Sequence, residues 1–174
     1  FHRLNVGKRD ITLDLTTEEG RDYFRSLIPH CDVVTENYNP KTMGRFGLHY
    51  EALKEINPKI IMAAMSGFGA TGPRSSWAAY AGPMESMAGL SAVTGYEDGE
   101  HMGSSTGYGD WSLGTVGSMM ILSALHYRNR TGKGQFIDAS GREALLAALG
   151  EAIVELSVNG RASKPCGNKH ETMA

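Results

Sequence analysis

The sequence predicts an α/β fold built on a parallel sheet. Three observations carry this. Strand-like and helix-like segments alternate from residue 10 to residue 65, the pattern of parallel strands joined by right-handed crossovers. Residues 59–65, Lys59-Ile60-Ile61-Met62-Ala63-Ala64-Met65, form a nearly continuous apolar run, which suits a strand covered on both faces. At 174 residues, 41% of them hydrophobic, the chain is long enough to bury a core.

Residues 10–15, Asp10-Ile11-Thr12-Leu13-Asp14-Leu15, alternate polar and apolar, as a half-buried strand does. Thr16 or Thr17, followed by Glu18 and Glu19, marks a helix start with acids in its first turn. That helix is expected to run to Leu27 or Ile28, where Pro29 stops it. Residues 31–37 read as a short strand. Pro40 opens a brief helix over residues 41–46. A second helix covers residues 50–56 and closes at Asn57-Pro58. After the apolar strand, residues 67–79 read as loop, 80–90 as helix and 94–109 as a long loop. Residues 112–127 read as helix, 134–139 as strand and 141–158 as one long helix. There is no internal repeat and no low-complexity linker.

The bulk numbers exclude several classes. A net charge of -2 with scattered Lys and Arg gives no nucleic-acid footprint. Cys31 and Cys166 lie far apart and form no CxxC pair, in keeping with a reduced, cytoplasmic setting. No apolar run approaches the roughly 18 residues of a membrane span. The six histidines show no metal-ligand spacing. The start, Phe1-His2-Arg3-Leu4-Asn5, lacks an initiator Met, and the end is polar. A piece of a longer polypeptide is expected.

Gly67-Phe68-Gly69-Ala70-Thr71-Gly72 matches GxGxxG after a strand. A dinucleotide site needs the third glycine on a helix aimed at the pyrophosphate. Here Pro73 follows at once, so the segment reads as a tight loop at the carboxyl end of a strand, still a ligand-facing position in such sheets. Asp110 stands in Gly107-Tyr108-Gly109-Asp110-Trp111-Ser112-Leu113-Gly114, before a long, almost uncharged helix. Two roles are open to it. It caps the helix, or it is a nucleophile at a helix N-terminus beside a cleft. Gly107 and Gly109 permit close approach of a substrate. Gly114, Gly117, Ser118, Ser123 and Ala124 are expected to let that helix pack tightly in the interior. Among the bases able to meet an anion, Lys8, Arg9, Lys41, Arg45 and Arg74, only Lys41 and Arg45 share one face of a short helix.

These residues resemble the class III CoA-transferases, the CaiB/BaiF family. The likeness begins at Asn5-Val6-Gly7-Lys8-Arg9-Asp10-Ile11-Thr12-Leu13-Asp14-Leu15 and continues through Asp32-Val33-Val34-Thr35-Glu36-Asn37-Tyr38 and Gly47-Leu48-His49-Tyr50-Glu51. It extends through Asn57-Pro58-Lys59-Ile60-Ile61, Ser66-Gly67-Phe68-Gly69 and Thr71-Gly72-Pro73 to Asp110 and Thr131-Gly132-Lys133-Gly134-Gln135. The resemblance implies a Rossmann-like parallel sheet with flanking helices, an incomplete large domain. Residues 1–140 would be the CoA-binding α/β part without its opening strand–helix unit. Residues 141–174 would be a long helix and linker toward an absent small domain.

The resemblance further implies a CoA-transferase that moves coenzyme A from an acyl-CoA to a small carboxylic acid. Asp110 would be the nucleophile, through a mixed anhydride and an aspartyl-CoA thioester, with backbone N–H groups holding each oxyanion. No metal or redox cofactor is implied; coenzyme A is substrate. CoA would lie along Asn37, Tyr38, Lys41, Met43 and Arg45, with Ser66, Gly67, Phe68 and Tyr80 beside the cleft. No nucleic acid or membrane partner is expected, and the full-length protein is expected to be an interlocked homodimer. The family also holds 2-methylacyl-CoA racemases, which pair an Asp with a His. The His would fall at Tyr80, and an unassisted tyrosine is a poor base at neutral pH. Many transferases of the family carry an acidic residue after that tyrosine, where this chain has Ala81-Gly82-Pro83, which bears on selectivity, as does the loop over residues 95–106. A noncatalytic acyl-CoA binder would keep Asn37, Tyr38 and Arg45 and use Asp110 as a cap alone.

Overall fold

A computed structural model describes residues 1–97 and 99–170. Residue 98 of the expected 94–109 loop and the last four residues of the expected 141–174 unit lie outside the described residues. Among the described residues, three parallel strands form one sheet in the order β1-β2-β3. These are β1 (Val33–Glu36), β2 (Ile61–Ser66) and β3 (Gln135–Ser140). The register sets Val33 beside Ile61 and Ile61 beside Gln135, and runs on to Ser66 beside Ser140.

Helix α1 (Glu18–Leu27) starts where the threonines and acids foretell, with the Thr17 hydroxyl accepting from the Gly20 N–H at 3.1 Å. Two short helices, α2 (Thr42–Arg45) and α3 (Tyr50–Ile56), connect β1 to β2. Strand β2 is covered on both faces, as its apolar run requires. Ile60 and Met62 join Ile28, Met43, Leu48 and Leu53 in one cluster. Met65, on the alternate side, meets α6 (Tyr108–Thr131) at Gly117, where an added Cβ would come within 2.5 Å of the Met65 sulfur. A second cluster of Met84, Ala88 and Leu145 joins α4 (Ala81–Ala88) to α7 (Gly141–Ala147), with Leu90 of α5 (Leu90–Val93) packed against it.

Four expectations are corrected. Residues 10–15 form no strand: alternation selects a face, but no neighbouring strand pairs with them among the described residues, and Ile11 is exposed. The segment instead ends in a turn in which Asp14 accepts from the Thr16 N–H and hydroxyl at 2.9 and 2.6 Å. The expected helix over 141–158 is two, α7 and α8 (Gly150–Asn159). The break comes where the amides of Ala148 and Leu149 turn to carbonyls three residues back, just before Gly150. Helix α6 begins four residues before expected, at Tyr108, and ends at Gly132 in the left-handed region. Of the five small residues expected to pack inward, only Gly117 and Ala124 are buried; Gly114, Ser118 and Ser123 face outward. No helix among the described residues is long and apolar enough to cross a membrane.

Candidate functional site

The ends of α6 orient the molecule. Arg128, in its last turn, pairs with Asp32 at 2.9 Å just before β1 begins. The helix therefore runs antiparallel to the strands, and its N-terminus lies at their carboxyl ends, where open α/β sheets bind ligands.

Asp110 is the third residue of α6, not its cap. The cap position belongs to Gly107, whose φ of 66° lies in the left-handed region that favours glycine. Gly107 offers no side chain, so the first amides of the helix need other acceptors. Each has one. The Tyr108 N–H donates to the Ser104 hydroxyl at 3.3 Å, the Gly109 N–H to a Glu85 carboxylate oxygen at 3.3 Å, and the Asp110 N–H to the Gly107 carbonyl at 3.0 Å. The Asp110 carboxylate itself is exposed and, among the described residues, accepts no hydrogen bond and joins no ion pair. A Cβ built on Gly107 would lie 3.5 Å from its oxygen and 3.8 Å from the Ala81 methyl, so the carboxylate, Gly107 and the start of α4 meet at one spot.

Met84 packs this corner together. It is 2% exposed, and glycines face it from three elements. A Cβ at Gly67 would lie 3.2 Å from its sulfur, one at Gly141 2.5 Å from the same atom, and one at Gly109 3.2 Å from its methyl. The end of β2 and the starts of α6 and α7 thus converge on one side chain. Three of the expected cleft residues fall here. Ser66 ends β2 with its hydroxyl buried and unpartnered among the described residues, Gly67 follows, and Phe68 stacks edge-on against Trp77 at 6.0 Å. Tyr80 stands at the N-cap of α4, beside Ala81, and is 79% exposed.

The remaining expected residues gather after β1. Asn37 and Tyr38 are exposed, with the Tyr38 N–H donating to Glu36 at 2.8 Å. Lys41 caps α2 and Arg45 ends it. Both are exposed and, among the described residues, neither is ion-paired. Met43 points inward to the core, with 5% of its surface exposed. Met43, Glu36, Pro40, Tyr50, Phe136 and Ala70 help line a largely apolar cavity of about 350 Å³. Burial there lifts the Glu36 carboxyl above its ordinary value of 4.5, while the Tyr38 N–H pulls it back. A larger space of about 490 Å³ lies among His30, Asp32, Lys59 and Arg128, at the amino ends of the strands, away from the face where such sheets bind ligands.

Helix α6, which carries Asp110, and the cavity lie on opposite faces of the sheet. Met62 and Ala64 point to the cavity, and Met65 points to α6. The loop over residues 67–72 joins them, with Gly67 against Met84 and Ala70 lining the cavity. The Ala70 N–H donates to the Asp138 carboxylate at 2.6 Å, and the Thr71 hydroxyl to the same group at 3.3 Å. A carboxylate of the chain itself thus occupies the Ala70 amide, one that a GxGxxG loop would offer to a phosphate. Neither Glu85 nor Asp138 was singled out from sequence. Glu85 did leave a signal, as the one charged residue in the apolar stripe Met84-Glu85-Ala88 of α4.

The sequence pattern of CoA-transferase family III matches residues 1–174. The chain is 40% identical over 176 residues to an acetyl-CoA:oxalate CoA-transferase of Acetobacter aceti, covering 100% of this chain and 45% of that protein. It is 38% identical over 161 residues to a succinyl-CoA–D-citramalate CoA-transferase of Chloroflexus aurantiacus, covering 92% of this chain and 40% of the other. The fold superposes with a TM-score of 0.90 on the crystal structure of a CaiB/BaiF family protein from Brucella suis, at 38% identity over 97% of this chain and 44% of that one. The chain therefore spans less than half the length of the relatives it matches.

Proposed function

The chain belongs to CoA-transferase family III, and on that premise we propose that the complete protein transfers coenzyme A between carboxylic acids through a covalent intermediate on Asp110. The observation that carries this reading is the exposed carboxylate of Asp110, without a hydrogen-bond donor among the described residues and set in the first turn of α6 while other groups satisfy the amides around it. That turn also places the carboxylate beside the positive end of the helix.

The steps balance without a metal or redox cofactor. The Asp110 carboxylate attacks the thioester carbonyl and expels CoA thiolate, leaving a mixed anhydride. The thiolate attacks the aspartyl carbonyl, which releases the donor acid and forms aspartyl-CoA. The acceptor carboxylate attacks that thioester, giving a second anhydride and thiolate. The thiolate then takes the acceptor's acyl group and restores Asp110. One difficult exchange becomes four acyl substitutions.

Lys41 and Arg45, exposed, one turn apart and not ion-paired among the described residues, suit the phosphates of CoA, with Asn37, Tyr38 and Met43 along the same segment. Ser66, Gly67, Phe68 and Tyr80 would border the acyl end. Tyrosine at position 80, where a racemase would carry its histidine, favours transfer over proton exchange. The reading includes a cytoplasmic homodimer acting on an acyl-CoA and a small acid. Oxalate, succinate and citramalate head the acids to try, since similar proteins carry those names.

The test is turnover of the complete protein and its Asp110→Asn and Asp110→Ala variants on these acids and their CoA thioesters. Loss of turnover in both, with acyl-CoA still bound, is expected. A variant that keeps wild-type turnover contradicts the reading.

A further inference from the structure

Glu85 is a carboxylate placed where carboxylates are rarely found. It is 1% exposed, in the middle of α4, on the stripe that otherwise carries Met84 and Ala88 into the core. A buried charge is tolerated when donors surround it, and three do. One oxygen accepts from the Ser104 N–H at 3.0 Å. The other accepts from the Ser104 hydroxyl at 2.7 Å and from the Gly109 N–H at 3.3 Å. Ser104 in turn accepts from the Tyr108 N–H. The start of α6 is therefore capped from a different helix. Gly107, the residue in the cap position, has no side chain with which to do it.

The arrangement fixes Asp110 in two ways. It ties residues 108 and 109, immediately before Asp110, to α4 and to the loop at Ser104. It also relieves Asp110 of the capping that an Asp at a helix start performs elsewhere. We propose that Glu85 is a positioning residue for the Asp110 carboxylate, acting through Ser104 and the first two amides of α6. The inference rests on the transferase reading above and adds to it the group that aims the nucleophile. A displacement of about 1 Å at such a distance from the chemistry costs on the order of 100-fold in rate.

The experiment compares the complete protein with its Glu85→Leu, Glu85→Gln and Ser104→Ala variants. It measures kcat and KM for acyl-CoA, and hydrogen exchange over residues 107–113. Glu85→Leu is expected to lower kcat about 100-fold with KM unchanged, and to speed exchange at the start of α6. Glu85→Gln keeps an acceptor for the Gly109 N–H and is expected to recover most of the rate. Ser104→Ala should fall in the same direction by less, and decides the matter if Glu85→Leu does not fold. An unchanged kcat in Glu85→Leu, or a loss confined to KM, overturns the proposal. If the wild-type protein transfers no CoA while exchange over 107–113 still responds to Glu85, the transferase reading has failed and the tie itself stands.

Discussion

Asp110 and Glu85 divide between them two roles that the sequence offers to one residue. Capping falls to Glu85 and Ser104, which leaves the Asp110 carboxylate exposed and, among the described residues, uncommitted. Another carboxylate near the site is Glu36, on the wall of the apolar cavity. Burial raises its folded value above the ordinary 4.5, so the fold prefers its neutral form. Its contribution to stability is then complete below about pH 4.5 and is lost as the pH climbs through the raised folded value. Glu36→Gln is expected to raise the melting temperature at pH 7 and to change it little at pH 4, by calorimetry at both pH values. An equal gain at both contradicts this account of Glu36. Asp110, Asn37, Tyr38, Lys41 and Arg45 were all legible in the sequence as polar residues in recognisable segments. Glu85 shows only as a charge in an apolar stripe, and its role does not, because nothing in its own segment says that three donors from residues 104–109 will meet it.

At the scale of elements, the loop over residues 67–72 is held by a side chain from β3. Asp138→Ala removes the acceptor of the Ala70 N–H and Thr71 hydroxyl. It is expected to cost about 1–3 kcal/mol in urea unfolding, with Asp138→Asn recovering part. No loss in either variant would show that the loop holds its shape unaided. Helix α1, strands β1 to β3 and helices α2 to α4 follow the caps, prolines and apolar runs that announce them. The failures share one cause. A strand needs a partner, and residues 10–15 have alternation without one. A long helix needs a continuous surface, and α7 buries Ala144 and Leu145 while α8 buries no residue. Local pattern carries neither condition.

Across the whole molecule, the sheet is covered on both faces but much apolar surface stays open. Trp111, Met119 and Leu122 on α6 are each more than half exposed, as are Val154, Leu156 and Val158 on α8. Contiguous exposed apolar surface marks interaction, and the matched relatives are more than twice this chain's length. Expressed alone, residues 1–174 are expected to bind a hydrophobic dye strongly, and the complete protein to bind it weakly. Equal fluorescence from both would show that the remainder of the protein leaves these faces uncovered.

The central claim is that the Asp110 carboxylate becomes covalently activated, as a mixed anhydride and then a CoA thioester. The direct measurement is intact-mass and peptide mapping of the complete protein after incubation with a panel of acyl-CoAs, without acceptor, and quenching with hydroxylamine. A hydroxamate on Asp110 is the predicted result, and the acyl-CoA that produces it identifies the donor. An unmodified Asp110 across the panel, with acyl-CoA bound, would contradict the account.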